Sequence, residues 1–268
     1  MVGRLIQTAK SAYQYPLIFK QLWHTPLVQA PDQEVVYRDL KRFTYRQIRE
    51  RIGRLASALS KAGVVPGDTV GVLDWDSHRF LEAFFAIPMM GAVLQTVNVR
   101  LSPEQIAYTI DHAGASTLLV NDDFVGLLEG LKAQLPKIKR LIVMSDRPAP
   151  QTGSLSFVGE YESLLAAASP DYDFPDFDEN TQATTFYTTG TTGLPKGVAG
   201  AAARRVRKTS AYRRGSETKQ EENQRHHNKS TGREIWRRAF TRLSKWSAPV
   251  PNPGKKPRLQ PSIELRRR

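Results

Sequence analysis

The sequence predicts an α/β domain, a largely parallel sheet with flanking helices, followed by a disordered basic tail. Three observations carry this. Helix and strand signals alternate from Phe43 to Met144, and strands recur about every two dozen residues, the rhythm of βαβ units. Helix starts are marked by capping boxes, and helix ends by glycine. Charge and apolar content both change at residue 199, where a body with core-forming residues gives way to a stretch without them.

The elements follow in order. Residues 1–33 read as a helical lead-in that docks on the body; they lack the continuous apolar stretch and small-residue cleavage site of a secretory signal, with a weak amphipathic anchor or transit segment as the alternative. In the body, residues 34–198, Thr44 and Gln47 form a capping box, and Ile48, Ile52, Leu55, Leu59 and Ala62 follow at helical spacing. Gly63 closes that helix, Pro66-Gly67-Asp68 is a turn, and residues 69–73 (TVGVL) read as a short buried strand. A helix over 77–87 and a strand over 92–97 come next. The longest apolar run, residues 83–94, is broken by Pro88 and Gly91 and is too short for a membrane span, so no transmembrane segment is expected.

Ser102, Pro103 and Gln105 give a second capped start, with Ile106, Ile110 and Ala113 on one face and Gly114 at the end. Strands over 117–120 and 141–144 flank a helix over 124–135. A turn-rich stretch, 145–156, leads to a short helix over 161–168. The acidic connection 170–180 (PDYDFPDFDEN) reads as a solvated loop rather than a metal site, because its acids are irregularly spaced between two prolines.

The chain of 268 residues carries 39 Lys and Arg against 26 Asp and Glu. From residue 199 onward there are 20 Lys or Arg and 5 Glu, a net +15, while the body holds 19 basic and 21 acidic residues. In that 70-residue tail only 8 residues are Leu, Ile, Val or Phe, too few for a core. The absence of cysteine excludes disulfides, Cys-ligated metals and thiol catalysis, and fits a cytoplasmic protein.

Chemistry is concentrated in residues 187–198, YTTGTTGLPKGV, entered from a β-type run at 184–186. Gly190 and Gly193 let backbone N–H groups turn toward an anion; Thr188, Thr189, Thr191 and Thr192 add hydroxyl donors, and Lys196 a positive charge. The pattern is a phosphate cradle but not a Walker A loop, since Pro195 stands five residues after Gly190 and Gly197 follows the lysine. A flexible Gly/Thr linker would not require Pro-Lys-Gly at fixed distance from the glycines.

This segment resembles the phosphate-binding signature of the adenylate-forming superfamily, which includes acyl-CoA synthetases, luciferases and peptide-synthetase adenylation domains. Residues 91–113 (GAVLQTVNVRLSPEQIAYTIDHA) and the stretch FTYRQIRERIGRLASALSKAGVVPGDTVGV from Phe43 look like the matching parts of medium- and long-chain fatty-acid CoA ligases. The resemblance runs collinearly from Glu34 to Val198 and implies part of the N-terminal, AMP-binding domain of that fold. It implies attack of a carboxylate on the α-phosphate of Mg-ATP, release of pyrophosphate, then displacement of AMP by CoA. By match to the motif, Thr188, Thr189, Gly190, Thr191, Thr192, Gly193 and Lys196 would hold the β- and γ-phosphates. The implied partners are a fatty acid or other carboxylate, ATP with Mg2+, and CoA.

The family pattern continues with Ser-His, then an aromatic-Gly-x-Thr-Glu site, a Thr-Gly-Asp site and a C-terminal lysine. Here residues 199–215 read AGAAARRVRKTSAYRRG, Thr231-Gly232 is followed by Arg233, and residues 212–217 (YRRGSE) have the wrong spacing. The expectation is a truncation near Val198 with an out-of-frame or replaced tail, and no acyl-adenylate formation by this chain alone. The alternative is a non-enzymatic protein that binds polyanions or membrane surfaces through the tail. Ile235, Trp236, Ala239, Phe240, Leu243 and Trp246 would form one face of a basic amphipathic helix. Four lesser candidates receive structural readings: a surface or capping role for His78, helix-dipole stabilisation for His112, packing at the mouth of the sheet for Trp75, and a solvated pair for His226 and His227.

Overall fold

The computed structural model describes residues 15–38, 40–147, 156–188 and 194–202. The tail from residue 203 onward, His226 and His227 included, lies outside these.

The lead-in forms a short 3-10 helix, Phe19–Trp23, and helix α1, His24–Gln29. Strands β1 (Glu34–Tyr37) and β2 (Lys41–Thr44) then pair as an antiparallel hairpin, with Arg38 at φ 50 in its turn. The expected capping box is present: Thr44 Oγ1 accepts from Gln47 N and Gln47 Oε1 from Thr44 N, which starts α2, Tyr45–Lys61. Strand β3 (Thr69–Leu73), helix α3 (His78–Met89), strand β4 (Val93–Thr96), helix α4 (Pro103–His112) and strand β5 (Ala115–Asn121) follow. The second capping box, Ser102 with Gln105 and Pro103 at the first helical position, starts α4.

The expected helix over 124–135 is instead a 3-10 turn at Asp122–Phe124, helix α5 at Val125–Gly130, and a 3-10 turn at Lys132–Gln134. Gly126 and Gly130 weaken a continuous helix there, yet Leu128, Leu131 and Leu135 still reach the core. Strand β6 (Arg140–Met144), strand β7 (Phe157–Glu160) and helix α6 (Tyr161–Ala166) precede strands β8 (Gln182–Thr188) and β9 (Lys196–Ala201).

Among the described residues the main sheet has seven strands in the order β7-β6-β5-β3-β4-β8-β9, parallel throughout except for β9, which runs antiparallel to β8. Two-residue alternation divides the core. Val70, Val72, Leu119, Ile142 and Met144 pack with α2, α3, α6 and the lead-in residues Phe19 and Trp23. Leu73, Leu118, Val120, Leu141 and Val143 pack with α4 and α5 through Ile106, Ile110, Val125 and Leu128. Each such buried side chain contributes about 1.5–3 kcal/mol relative to exposure.

The first layer also holds a buried ion network. Arg51 Nε donates to Glu82 Oε1 at 2.6 Å, Tyr161 Oη donates to Glu82 Oε2 at 2.7 Å, and Glu82 is fully buried. Arg51 Nη2 also reaches Glu162 at 3.0 Å, and Arg79 donates to Glu162 at 2.8 Å, to Asp146 at 2.8 Å and to the Ser145 carbonyl at 2.9 Å. Burial and then the Glu82 carboxylate push the Tyr161 hydroxyl well above its ordinary pKa. Burial opposes ionisation of Glu162, but His78, Arg51 and Arg79 outweigh it and hold its carboxyl well below the usual range.

His78 departs from its expected surface or capping role. It is 3% exposed, its ring lies 5.3 Å from that of Tyr37 and 5.2 Å from that of Phe43, and its Nε2 is 3.5 Å from Glu162 Oε1. The β1–β2 hairpin supplies both aromatic rings, while Ser77, accepting from Arg79 N at 3.2 Å, is the actual cap of α3.

The acidic connection is more than a solvated loop. Asp176 pairs with Lys20 at 2.8 Å, Glu179 Oε2 accepts from Leu17 N at 3.1 Å, and Phe174 is buried, so the connection straps the lead-in to the body. Among the described residues no group of three or more His, Cys, Asp or Glu is placed to hold a metal ion, and no helix is long and apolar enough to cross a membrane.

Candidate functional site

The phosphate-loop sequence takes in the end of strand β8, the start of strand β9 and the residues between them in the chain. Ala183, Thr184 and Thr185 of β8 are buried, and β4 pairs with this strand at Leu94↔Thr184 and Gln95↔Thr185. Beyond Thr185 the ladder continues with β9 through Phe186↔Val198, Tyr187↔Gly197 and Thr188↔Lys196. The β8–β9 pairing therefore continues past the register of β4.

Thr188 and Lys196 are direct cross-strand partners, and both are exposed. Directly opposed residues share one face of an antiparallel pair, about 4.5–5.5 Å apart at Cβ. A hydroxyl donor and an ammonium group thus flank the loop mouth on the same face. Thr189, Gly190, Thr191, Thr192 and Gly193 lie outside the described residues. Lys196 opens a strand rather than lying within the loop, and buried Pro195 precedes it.

Strand β9 runs on to Ala201, and Ala202 is fully buried in the core, both beyond Val198. Alanine and glycine at residues 199–202 give little apolar signal, but their backbone groups pair with β8 and Thr181.

Tyr187 Oη lies 2.7 Å from His112 Nδ1 at the end of α4. The two rings meet edge to face at 5.8 Å, and Tyr108, one turn earlier on α4, lies 5.3 Å from the His112 ring. Burial, then the neighbouring Tyr108, raises the Tyr187 pKa to about 12, so its hydroxyl stays protonated at neutral pH. A Cβ at Gly197 would sit 3.4 Å from the Tyr187 ring, so the ring lies against the backbone of β9 there. The helix-end position read for His112 is present, but its contact with Tyr187, 75 residues away, left no signal in the sequence.

A second polar cluster caps the carboxyl ends of β3 and β5. Asp74 accepts from Ser77 Oγ and from Asn121 Nδ2, at 2.5 and 3.0 Å. Asp76 sits at φ 61 and its pKa is raised to about 6 by burial and by Asp74, against the opposing pull of Arg100. Trp75 packs on Phe124 at 4.9 Å and donates to Asp123 at 3.0 Å, which agrees with the packing role read for it.

The profile of the family described as AMP-binding enzyme matches residues 24–228, about three-quarters of the chain. The chain belongs to this family. The match also extends beyond Val198. Over 170 residues the chain is 41% identical to a long-chain-fatty-acid–CoA ligase of Thermus thermophilus, covering 62% of this chain and 30% of that protein. It is 36% identical over 157 residues to a 3-methylmercaptopropionyl-CoA ligase of Ruegeria lacuscaerulensis, covering 59% and 29%. The anthranilate CoA ligase AuaEII, solved with anthranoyl-AMP, superposes with a TM-score of 0.66 at 23% identity, over 75% of this chain and 37% of that one. That likeness is one of fold. The chain spans about three-tenths of the length of its curated relatives, whose names cover chemically different acids.

Proposed function

We propose that this chain carries the polyphosphate-holding part of a carboxylate–CoA ligase of the medium- or long-chain fatty-acid type. The reading is supported chiefly by the hairpin that sets Thr188 and Lys196 opposite one another at the two ends of a Thr/Gly loop. In it Thr188, Thr189, Gly190, Thr191, Thr192, Gly193 and Lys196 hold the β- and γ-phosphates of ATP. The carboxylate oxygen bonds to the α-phosphorus, the bond to the bridging oxygen breaks, and the electron pair leaves on pyrophosphate. The loop positions that leaving group and neutralises its growing charge, an electrostatic contribution made without moving a proton. CoA thiol then displaces AMP.

Magnesium accompanies ATP in this chemistry. Among the described residues no cluster of three or more His, Cys, Asp or Glu fits the ion. The fatty-acid preference rests on residues 91–113 and on relatives such as the Thermus ligase.

These 268 residues are proposed not to complete the reaction alone, because they hold no aromatic-Gly-x-Thr-Glu or Thr-Gly-Asp motif for adenine and ribose. The test is fatty-acid-dependent exchange of labelled pyrophosphate into ATP. Background exchange is expected. Exchange above background that Lys196→Ala abolishes would overturn the inactivity and keep the phosphate assignment.

A further inference from the structure

We propose that His112 is a positioning residue for the phosphate loop, acting through Tyr187; the inference rests on the polyphosphate reading of residues 188–196. The β8–β9 ladder runs on past the β4–β8 register, which ends at Thr185, so β4 does not pair with residues 186–188 of β8. The last turn of α4 takes its place. His112 Nδ1 and Tyr187 Oη lie 2.7 Å apart, and Tyr108 braces the imidazole from the preceding turn at 5.3 Å. The contact joins the Tyr187 hydroxyl to a ring nitrogen, with the direction of the hydrogen bond set by the His112 tautomer.

The contact is placed to matter. Tyr187 immediately precedes Thr188, and its Cα partner is Gly197, next to Lys196. The Tyr187 ring also lies against Gly197, where an added Cβ would meet it at 3.4 Å. Fixing the Tyr187 ring therefore fixes both strands where the hydroxyl of Thr188 and the ammonium of Lys196 emerge. A cradle works only if its donors are held where the anion's charge falls, and small displacements are costly. α4 itself is rigidly seated, with Ile106 and Ile110 buried and its start capped. The helix is thus a strut between the sheet face and the loop mouth.

A double-mutant cycle with inorganic pyrophosphate as the probe tests this. His112→Ala and Tyr187→Phe should each weaken pyrophosphate binding about five- to tenfold, and the double variant should be no weaker than either single one. His112→Asn, which can place a polar atom near the Nδ1 position, should recover most of the affinity. Amide hydrogen exchange at Thr188 and Lys196 should speed up in His112→Ala while the buried β3 and β5 amides stay protected. That readout holds without ligand and separates positioning from general destabilisation.

Lys196-dependent binding of pyrophosphate by the unaltered chain, with His112→Ala binding equally well, would overturn the positioning role and leave the phosphate reading standing. Absence of pyrophosphate binding, or binding indifferent to Lys196→Ala, would overturn the phosphate reading and this inference with it.

Discussion

Replacing Glu82 with alanine removes one group from under two others. Arg51 loses its 2.6 Å partner and Tyr161, fully buried, loses the acceptor 2.7 Å from its hydroxyl. Removing one side of a buried ion pair costs about 3–5 kcal/mol, and the lower end applies because Arg51 keeps Glu162 at 3.0 Å. The orphaned Tyr161 hydroxyl adds about 1 kcal/mol, for a total near 4 kcal/mol. Against a typical domain stability of about 5–15 kcal/mol this is a large loss. Urea unfolding at pH 7 followed by far-UV circular dichroism measures it. Glu82→Gln keeps an acceptor for Tyr161 and should lose about half as much. In the Glu82→Ala background Tyr161→Phe should become neutral or stabilising, since it removes the orphaned hydroxyl. A loss below about 1 kcal/mol for Glu82→Ala, or a Tyr161→Phe cost unchanged by that background, would show that Glu82 does not support Arg51 and Tyr161 in this way.

Two further substitutions probe packing and charge. At Gly53 an added Cβ would lie 1.9 Å from the Pro170 carbonyl oxygen, so Gly53→Ala should destabilise by about 3 kcal/mol despite alanine's better helix propensity, as thermal unfolding would record. Asp76 has its folded pKa raised to about 6 against an unfolded value near 4, so its contribution to stability is full below pH 4 and lost as pH rises through 6. Asp76→Asn, tolerated at φ 61, should therefore stabilise the chain by about 1 kcal/mol at pH 7.5 and by little at pH 4, read from unfolding midpoints at the two pH values.

What the sequence disclosed was local. Thr44 with Gln47, and Ser102 with Pro103 and Gln105, announce helix starts because each cap is made by residues within one turn. The strand at 69–73 was legible because apolar residues continue without a break, as a strand covered on both faces requires. The β1–β2 hairpin was not, because its burial alternates weakly and charged Glu34, Lys41 and Arg42 blur the pattern. Strand β7 was also missed: Phe157 and Val158 are exposed at the sheet edge, so burial gave them no periodic mark. At the candidate site Thr188 and Lys196 came from the motif, whereas the His112–Tyr187 contact and the Arg51–Glu82–Tyr161 network join residues 75 or more positions apart or on separate helices. Pairings of that kind are set by topology, which one sequence leaves open until the strand order is known.

Residues 188–196 are proposed to cradle the outer phosphates of ATP. Calorimetric titration of ATP, and separately of AMP, into the chain and its Lys196→Ala form tests this proposal most directly. The expected result is saturable ATP binding that Lys196→Ala weakens about tenfold or more, with AMP, which lacks the β- and γ-phosphates, binding far more weakly. Equal affinity for ATP and AMP, or ATP binding unchanged by Lys196→Ala, would contradict it.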